Sequence, residues 1–254
     1  MSAGHAHPLY LDGDSPVHRL PPEVKIVAAF AVTVAIVATP REAFWAFGAY
    51  AVLLAGVAAV AGVGAGWLAK RALIELPFVV LAVVLPLVGG GERVEWAGLS
   101  LSVDGLYGAW NIVAKGTLGV IASLLLAATT PMRDLLLGLE RLRTPQVVIQ
   151  IATFMLRYLV VIGDQARRMR IARLSRGHDP GFLWQAHAFA ASVGSLFIRS
   201  YERGERVYLA MVSRGYTGRM PAPGGAAASP GHWAVALCVP LAASIVTVTA
   251  WLLR

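Results

Sequence analysis

Charge is scarce in this sequence. Of its 254 residues only 14% are Asp, Glu, Lys or Arg, while 57% are hydrophobic and the mean hydropathy is +0.65. A soluble domain carries about 25% charged residues, so a water-soluble fold is excluded and an integral membrane protein is expected. Cysteine is nearly absent: Cys238 stands alone in an apolar run, which excludes a disulfide framework and a Cys-based metal site. Catalytic signatures are missing as well. The sequence holds no Gly-x-x-x-x-Gly-Lys-[Ser/Thr] phosphate loop, no dinucleotide glycine pattern, no His-Glu-x-x-His and no Gly-x-Ser-x-Gly. His178, His187 and His232 are scattered, and His5-x-His7 offers only two ligands on a terminus. Catalysis by this chain is not expected. The first twenty residues are polar and lack an apolar core, so no removable signal peptide is expected either.

What charge there is lies in one place. Residues 131–220 hold 14 of the 22 Lys and Arg but 6 of the 14 Asp and Glu, so the whole net charge of +8 resides there. In a membrane protein this is the positive-inside bias. A nucleic-acid binder would interleave aromatics with its basic residues, and 164–176 has none.

Five apolar runs approach the ~20 residues needed to span a bilayer: 24–39, 43–62, 72–90, 105–130 and 232–253. Pro40-Arg41-Glu42 turns the first into the second, and their Ala and Gly content allows close helix contact. Residues 64–71, ending in Lys70-Arg71, read as a basic loop; 91–104 read as a polar loop with room for a small hairpin. Glu75 and Lys115 lie within spans, where pairing with each other or snorkelling is expected over an ion pathway. Pro131 opens a short amphipathic helix through Leu142, stopped by Pro145, and 218–231 form a flexible linker. With the basic segment cytoplasmic, the N-terminus falls inside and residues 40–42 and 91–104 outside. The fold class is thus all-α: a polytopic membrane protein of about five transmembrane helices, with one short and two long cytoplasmic-side helices. It divides into 1–130, the helical cytoplasmic region 131–220, and 221–254.

That cytoplasmic region is written twice. Residues 145–163 are mostly apolar, a charged run follows, and the limb closes on Ser175-Arg176-Gly177; residues 182–198 and Ser213-Arg214-Gly215 repeat the design. A shift of 38 positions lays Asp164 on Glu202, Arg168 on Arg206 and Ala172 on Ala210. Neither limb has an internal Pro, so each reads as one long helix closed by Gly. A full span over 147–163 would set basic residues on both sides of the membrane and expose Gln146, Gln150, Thr153 and Arg157 to lipid. An oblique dip that returns to the cytoplasm is expected instead.

One Arg at a helix end merely complements the helix dipole. Two copies in register suggest helix-in-groove docking. Small Ser and Gly let the tip enter a cleft, and Arg offers a planar fork to a carboxylate. An exposed ion pair contributes only ~0–1 kcal/mol, whereas breaking a desolvated one costs ~3–5 kcal/mol. Such a tip therefore matters only in a groove that excludes water. Two tips on one chain gain from effective concentration and suit a dimeric partner with two equivalent grooves.

At these residues the chain resembles the transmembrane T component of energy-coupling-factor (ECF) transporters, most closely the CbiQ-like cobalt subgroup. That family ends two long coupling helices in Ala-Arg-Gly, here Ser175-Arg176-Gly177 and Ser213-Arg214-Gly215. The match includes Leu156-Arg157-Tyr158, Ala172 through Arg176-Gly177-His178-Asp179, and Ala210-Met211 through Arg214 to Pro221. His18-x-Leu20-x-Pro22-x-x-Lys25 is similar to the family's opening, with Pro21 and Glu23 where Asp and Arg are usual. The resemblance covers about residues 15–253. It implies a non-catalytic scaffold of an ATP-driven importer in the cell (inner) membrane. Two CbiO-like ATPase subunits carrying ATP and Mg would grip Arg176 and Arg214. Arg157, Arg168, Ala172, Arg206 and Ala210 would support the coupling helices. A CbiM-like membrane subunit, with a small CbiN-like subunit, would bind Co2+ as substrate. This chain would hold no metal or cofactor, contact membrane lipid, and bind no nucleic acid. Nickel or a vitamin could replace cobalt, since specificity would belong to the partner. An integral membrane enzyme using Glu75, Lys115 and Arg157 is the reading from another class.

Overall fold

Apolar segments in lipid must satisfy every backbone polar group internally, and the chain does so with helices. The computed structural model describes residues 9–90, 93–96, 99–177, 186–218 and 228–253. In chain order the elements are α1 (Pro16–Arg19), α2 (Pro22–Ala38), α3 (Phe44–Ala61), α4 (Ala65–Ala72), a 3-10 turn (Leu73–Glu75) and α5 (Leu76–Val88). Next come β1 (Arg93–Trp96), β2 (Leu99–Ser102), α6 (Val103–Thr129), α7 (Met132–Arg141), α8 (Gln146–Leu174), α9 (Ala186–Val212) and α10 (Pro230–Leu252). The chain forms two compact units, residues 1–142 with 225–254, and residues 143–224. The linker residues 219–227 and the histidines His5, His7 and His178 lie outside the described residues.

One expectation changes. The stretch around Lys70-Arg71 is not a loop but α4, because Ala65, Trp67, Leu68, Ala69 and Ala72 keep a helical pattern up to the spanning run. The polar loop holds the small hairpin it had room for, antiparallel, with Arg93 opposite Ser102 and Trp96 opposite Leu99. Five helical stretches are long and apolar enough to cross a bilayer: α3, the continuous run Ala65–Val88, α6, α8 and α10. The number is the one expected, but the membership differs. α2 has 17 residues, a rise of about 26 Å, against a hydrocarbon core of ~30 Å. α8 qualifies because Arg157 is the only charge in its first eighteen residues, while Asp164, Arg167, Arg168, Arg170 and Arg173 crowd its second half. Composition divides that helix where α3 and α10 are uniform.

In the first unit the core is built from small residues, with Ala35, Ala46, Ala58, Ala122, Ala128 and Ala243 all buried. Close approach follows from their size. At Gly105 a Cβ would come within 2.7 Å of the Leu85 carbonyl oxygen, so α5 and α6 meet where only glycine fits. Tyr50, fully buried, ties three helices: its hydroxyl lies 2.8 Å from the Thr39 and Thr247 hydroxyls and donates to the Ala243 carbonyl at 3.3 Å. The carbonyls ending α6 are met by other segments, since the Leu11 N–H donates to Ala128 O (3.0 Å) and Lys25 Nζ to Thr129 O (2.9 Å). Glu23, 4% exposed, accepts from Arg141 Nη1 at 3.1 and 3.0 Å and from the Ala228 N–H at 3.0 Å. It fastens α2, α7 and the segment before α10 together. Arg19, the last residue of α1, clasps Asp14 ahead of that helix at 2.7 and 2.6 Å; that hydrogen bonding, then its charge, holds the Asp14 carboxyl pKa below its ordinary value.

Candidate functional site

The second unit carries the two repeated tips, and the repeat extends to individual atoms. At the first, the Ser175 N–H donates to Ile171 O (3.0 Å), Arg176 N–H to Arg173 O (3.0 Å) and Gly177 N–H to Leu174 O (3.1 Å). At the second, Ser213 donates to Leu209 O (2.9 Å), Arg214 to Met211 O (3.0 Å) and Gly215 to Val212 O (3.0 Å). Each serine hydroxyl turns back on its own helix, Ser175 Oγ to Ala172 O (2.9 Å) and Ser213 Oγ to Ala210 O (3.0 Å). Gly177 and Gly215 sit at φ +79° and +83°, the left-handed conformation that ends a helix and that only glycine adopts without strain.

These bonds assign roles within the motif. The serine is spent on capping, the alanine supplies the carbonyl that receives it, and the glycine turns the chain away. Only the arginine side chain has no part in the cap. Residues 174–177 and 212–215 are exposed, and among the described residues neither Arg176 nor Arg214 has an ion-pair or hydrogen-bond partner for its guanidinium. Among the described residues, both tips therefore end in an unpaired planar fork.

The two limbs form an antiparallel pair. Tyr216, just past the second tip, donates its hydroxyl to Gln150 Oε1 near the start of α8 (2.7 Å), and Gln150 Nε2 donates to Gly218 O (3.2 Å). Farther along, Arg203 Nη2 donates to Gln165 Oε1 at 3.4 Å, and the Arg173 guanidinium lies 5.5 Å from the Phe189 ring centroid. Arg214 thus sits beside the beginning of α8 and Arg176 beyond its end, a separation on the order of 40 Å along the rod. The fold does not bring the two arginines together; it holds them apart. The supporting residues Arg168, Ala172, Arg206 and Ala210 are exposed, and Arg157 lies 6.0 Å from the ring of its neighbour Tyr158. Gln150, Gln165, Arg203 and Tyr216 are the residues that sequence reasoning missed. Their only signal was position, at matching distances from the two ends of an antiparallel pair.

Apolar side chains occupy the first half of α8 in quantity, and Val147, Ile151, Met155 and Leu159 are all more than half exposed. A helix surface of that kind calls for lipid or a partner.

Glu75 and Lys115 do not pair. Glu75, 5% exposed, accepts from the Thr117 hydroxyl at 2.9 Å, and Lys115 Nζ donates to Val37 O at 2.7 Å. Lys115 and Thr117 are two apart on α6 and face different ways, so the acid meets the threonine. Among the described residues no three of His, Cys, Asp and Glu gather into a group that could hold a metal ion.

Known proteins resemble this chain over most of its length. The model of a family described as CbiQ, cobalt transport protein, matches residues 13–223. The energy-coupling factor transporter transmembrane protein EcfT of Bacillus selenitireducens is 32% identical over 82% of this chain and 82% of its own. The cobalt transport protein CbiQ of Rhodobacter capsulatus is 31% identical over 48% of this chain and 50% of its own. A putative fused cobalt transport protein, CbiMQ, of Methanocorpusculum labreanum is 29% identical over 56% of this chain and 25% of its own.

Proposed function

The chain belongs to the CbiQ cobalt transport protein family, and from that membership we propose that it couples ATP hydrolysis by two partner subunits to the import of cobalt ions. As a transmembrane component of an ECF transporter it is a multi-pass membrane protein. The finer reading rests on one observation: two arginine tips with the same capping bonds, both exposed and, among the described residues, both unpartnered, at opposite ends of a helical pair.

Each guanidinium offers a bidentate fork to a carboxylate in a cytoplasmic groove, one groove on each ATPase subunit. A groove that excludes water makes each contact strong. When the ATPase pair closes on ATP and Mg, the two grooves shift and drag the tips with them. A helix transmits that displacement along its length because its backbone bonds are internal. The exposed apolar first half of α8 passes the motion to a membrane subunit that binds the substrate, and relatives named for cobalt transport support Co2+ as that substrate. The N-terminus and both tips lie in the cytoplasm on this reading, in accord with the concentration of Arg in residues 131–220.

Arg176→Glu combined with Arg214→Glu tests the proposal. The variant is expected to insert in the membrane normally, to lose copurifying ATPase subunits, and to abolish cobalt uptake. Normal copurification and uptake would refute docking through the tips.

A further inference from the structure

A cavity in the first unit has no part in the coupling scheme. It measures about 600 Å3 and lies within the first unit, among α2, α3, α6 and α10, with Pro16, Val17 and Leu20 of the α1 segment lining one side. Its wall comes from one end of each helix. The first turns of α2 contribute Lys25 through Val32, the last turns of α6 contribute Leu125 and Thr129, and the first turns of α10 contribute Val235. Lys25 to Val32 is a depth of about 10 Å. The cavity thus begins at the level where α2 starts and α6 stops, and reaches inward from there.

Almost the whole lining is apolar, and a dry apolar cavity does not hold water. The exceptions are Thr129, whose hydroxyl donates to Leu125 O at 2.8 Å, and Lys25. Lys25 is 8% exposed, and its Nζ donates to Thr129 O at 2.9 Å and to His18 O at 3.4 Å. An ammonium carries three donors, so one remains. Both acceptors are neutral carbonyls. Among the described residues no carboxylate comes within ion-pair distance of Lys25, and Asp134 acts on it only through space. A buried cation of this kind calls for a counter-charge, and the space beside it calls for hydrocarbon.

We propose that this cavity binds one anionic phospholipid, with an acyl chain among the helices and its phosphate on Lys25. The charge at the mouth and the apolar depth behind it match the two ends of such a molecule. Access is from the bilayer: Val52, Val60 and Val235 line the cavity yet are 75%, 55% and 63% exposed, so the rim lies on the outer surface of the unit. A lipid enters there without leaving the membrane, and the Lys25 contact retains it.

The test places the full chain in nanodiscs containing equal phosphatidylglycerol and phosphatidylethanolamine and releases it for native mass spectrometry. One retained phosphatidylglycerol per chain is expected. Lys25→Met should reduce the phosphatidylglycerol preference about tenfold, the loss of one charge-assisted hydrogen bond. Gly56→Trp supplies an independent arm. Gly56 lines the cavity, and a Cβ there meets nothing within 4 Å, so the indole fills the space without breaking α3. That variant should retain no lipid. Absence of a retained lipid in the wild type, equal retention of both lipids, retention unchanged by Gly56→Trp, or an adduct with the mass of a free fatty acid would each overturn the proposal.

Discussion

At the scale of single residues, the tips depend on glycine as much as on arginine. Gly177 and Gly215 occupy the left-handed region with φ of +79° and +83°. A side chain there costs roughly 1–2 kcal/mol per residue, and the adjacent arginine would shift with the frayed cap. Gly177→Val plus Gly215→Val is therefore expected to leave membrane insertion unchanged while ATPase subunits copurify in reduced amount, read by quantitative immunoblot. Retention equal to wild type would show that the caps do not position the arginines. Glu75 belongs to another class of residue. Its hydrogen bond comes from a threonine hydroxyl, which a neutral amide also accepts, so Glu75→Gln should preserve cobalt uptake within about twofold. A complete loss with normal assembly would give Glu75 a part in transport. Sequence pattern alone exposed the glycines and arginines, because a repeated tripeptide at a 38-residue shift is a one-dimensional signal. It could not expose Tyr216 bonding to Gln150, since residues 66 apart become neighbours only when two helices run antiparallel.

At the scale of elements, glycines mark which helix contacts are tight. At Gly138 on α7 a Cβ would fall 2.9 Å from the Glu23 backbone nitrogen and 3.0 Å from the Pro22 carbonyl carbon. Backbone cannot give way there, so Gly138→Ala should push α7 off α2 and disturb the Glu23–Arg141 pair, lowering the melting temperature in detergent. Gly163, in the middle of α8, has nothing within 4 Å of an added Cβ, and Gly163→Ala should stabilise that helix by about 0.5–1 kcal/mol. The two substitutions are chemically identical and are expected to move the melting temperature in opposite directions; a fall in both would contradict the packing described for α8. Hydropathy was a sound guide to α3, α5, α6 and α10, because nothing competes with their uniform composition. It was a poorer guide to α4, whose Lys70 and Arg71 mimic a loop although alanines keep the helix going. The length of α8 was legible from its closing glycine and the absence of proline. Whether its apolar half lies across or along the bilayer was not, since its two halves call for different surroundings.

At the scale of the whole molecule, one pair of helices holds two arginines on the order of 40 Å apart, and under the proposed function each would be gripped by its own ATPase subunit. Cys238, the single cysteine, is exposed, so Cys238→Ser gives a background in which chosen positions can be cross-linked. Ser175→Cys and Ser213→Cys place one thiol at each tip beside the arginine without removing it. In the assembled transporter, a short thiol-to-amine cross-linker applied to the double-cysteine chain is expected to yield a product of one chain with two ATPase subunits, whereas each single-cysteine chain yields a product with one. A double-cysteine chain that joins only one ATPase subunit, or none, would contradict the claim that the two tips engage a paired motor.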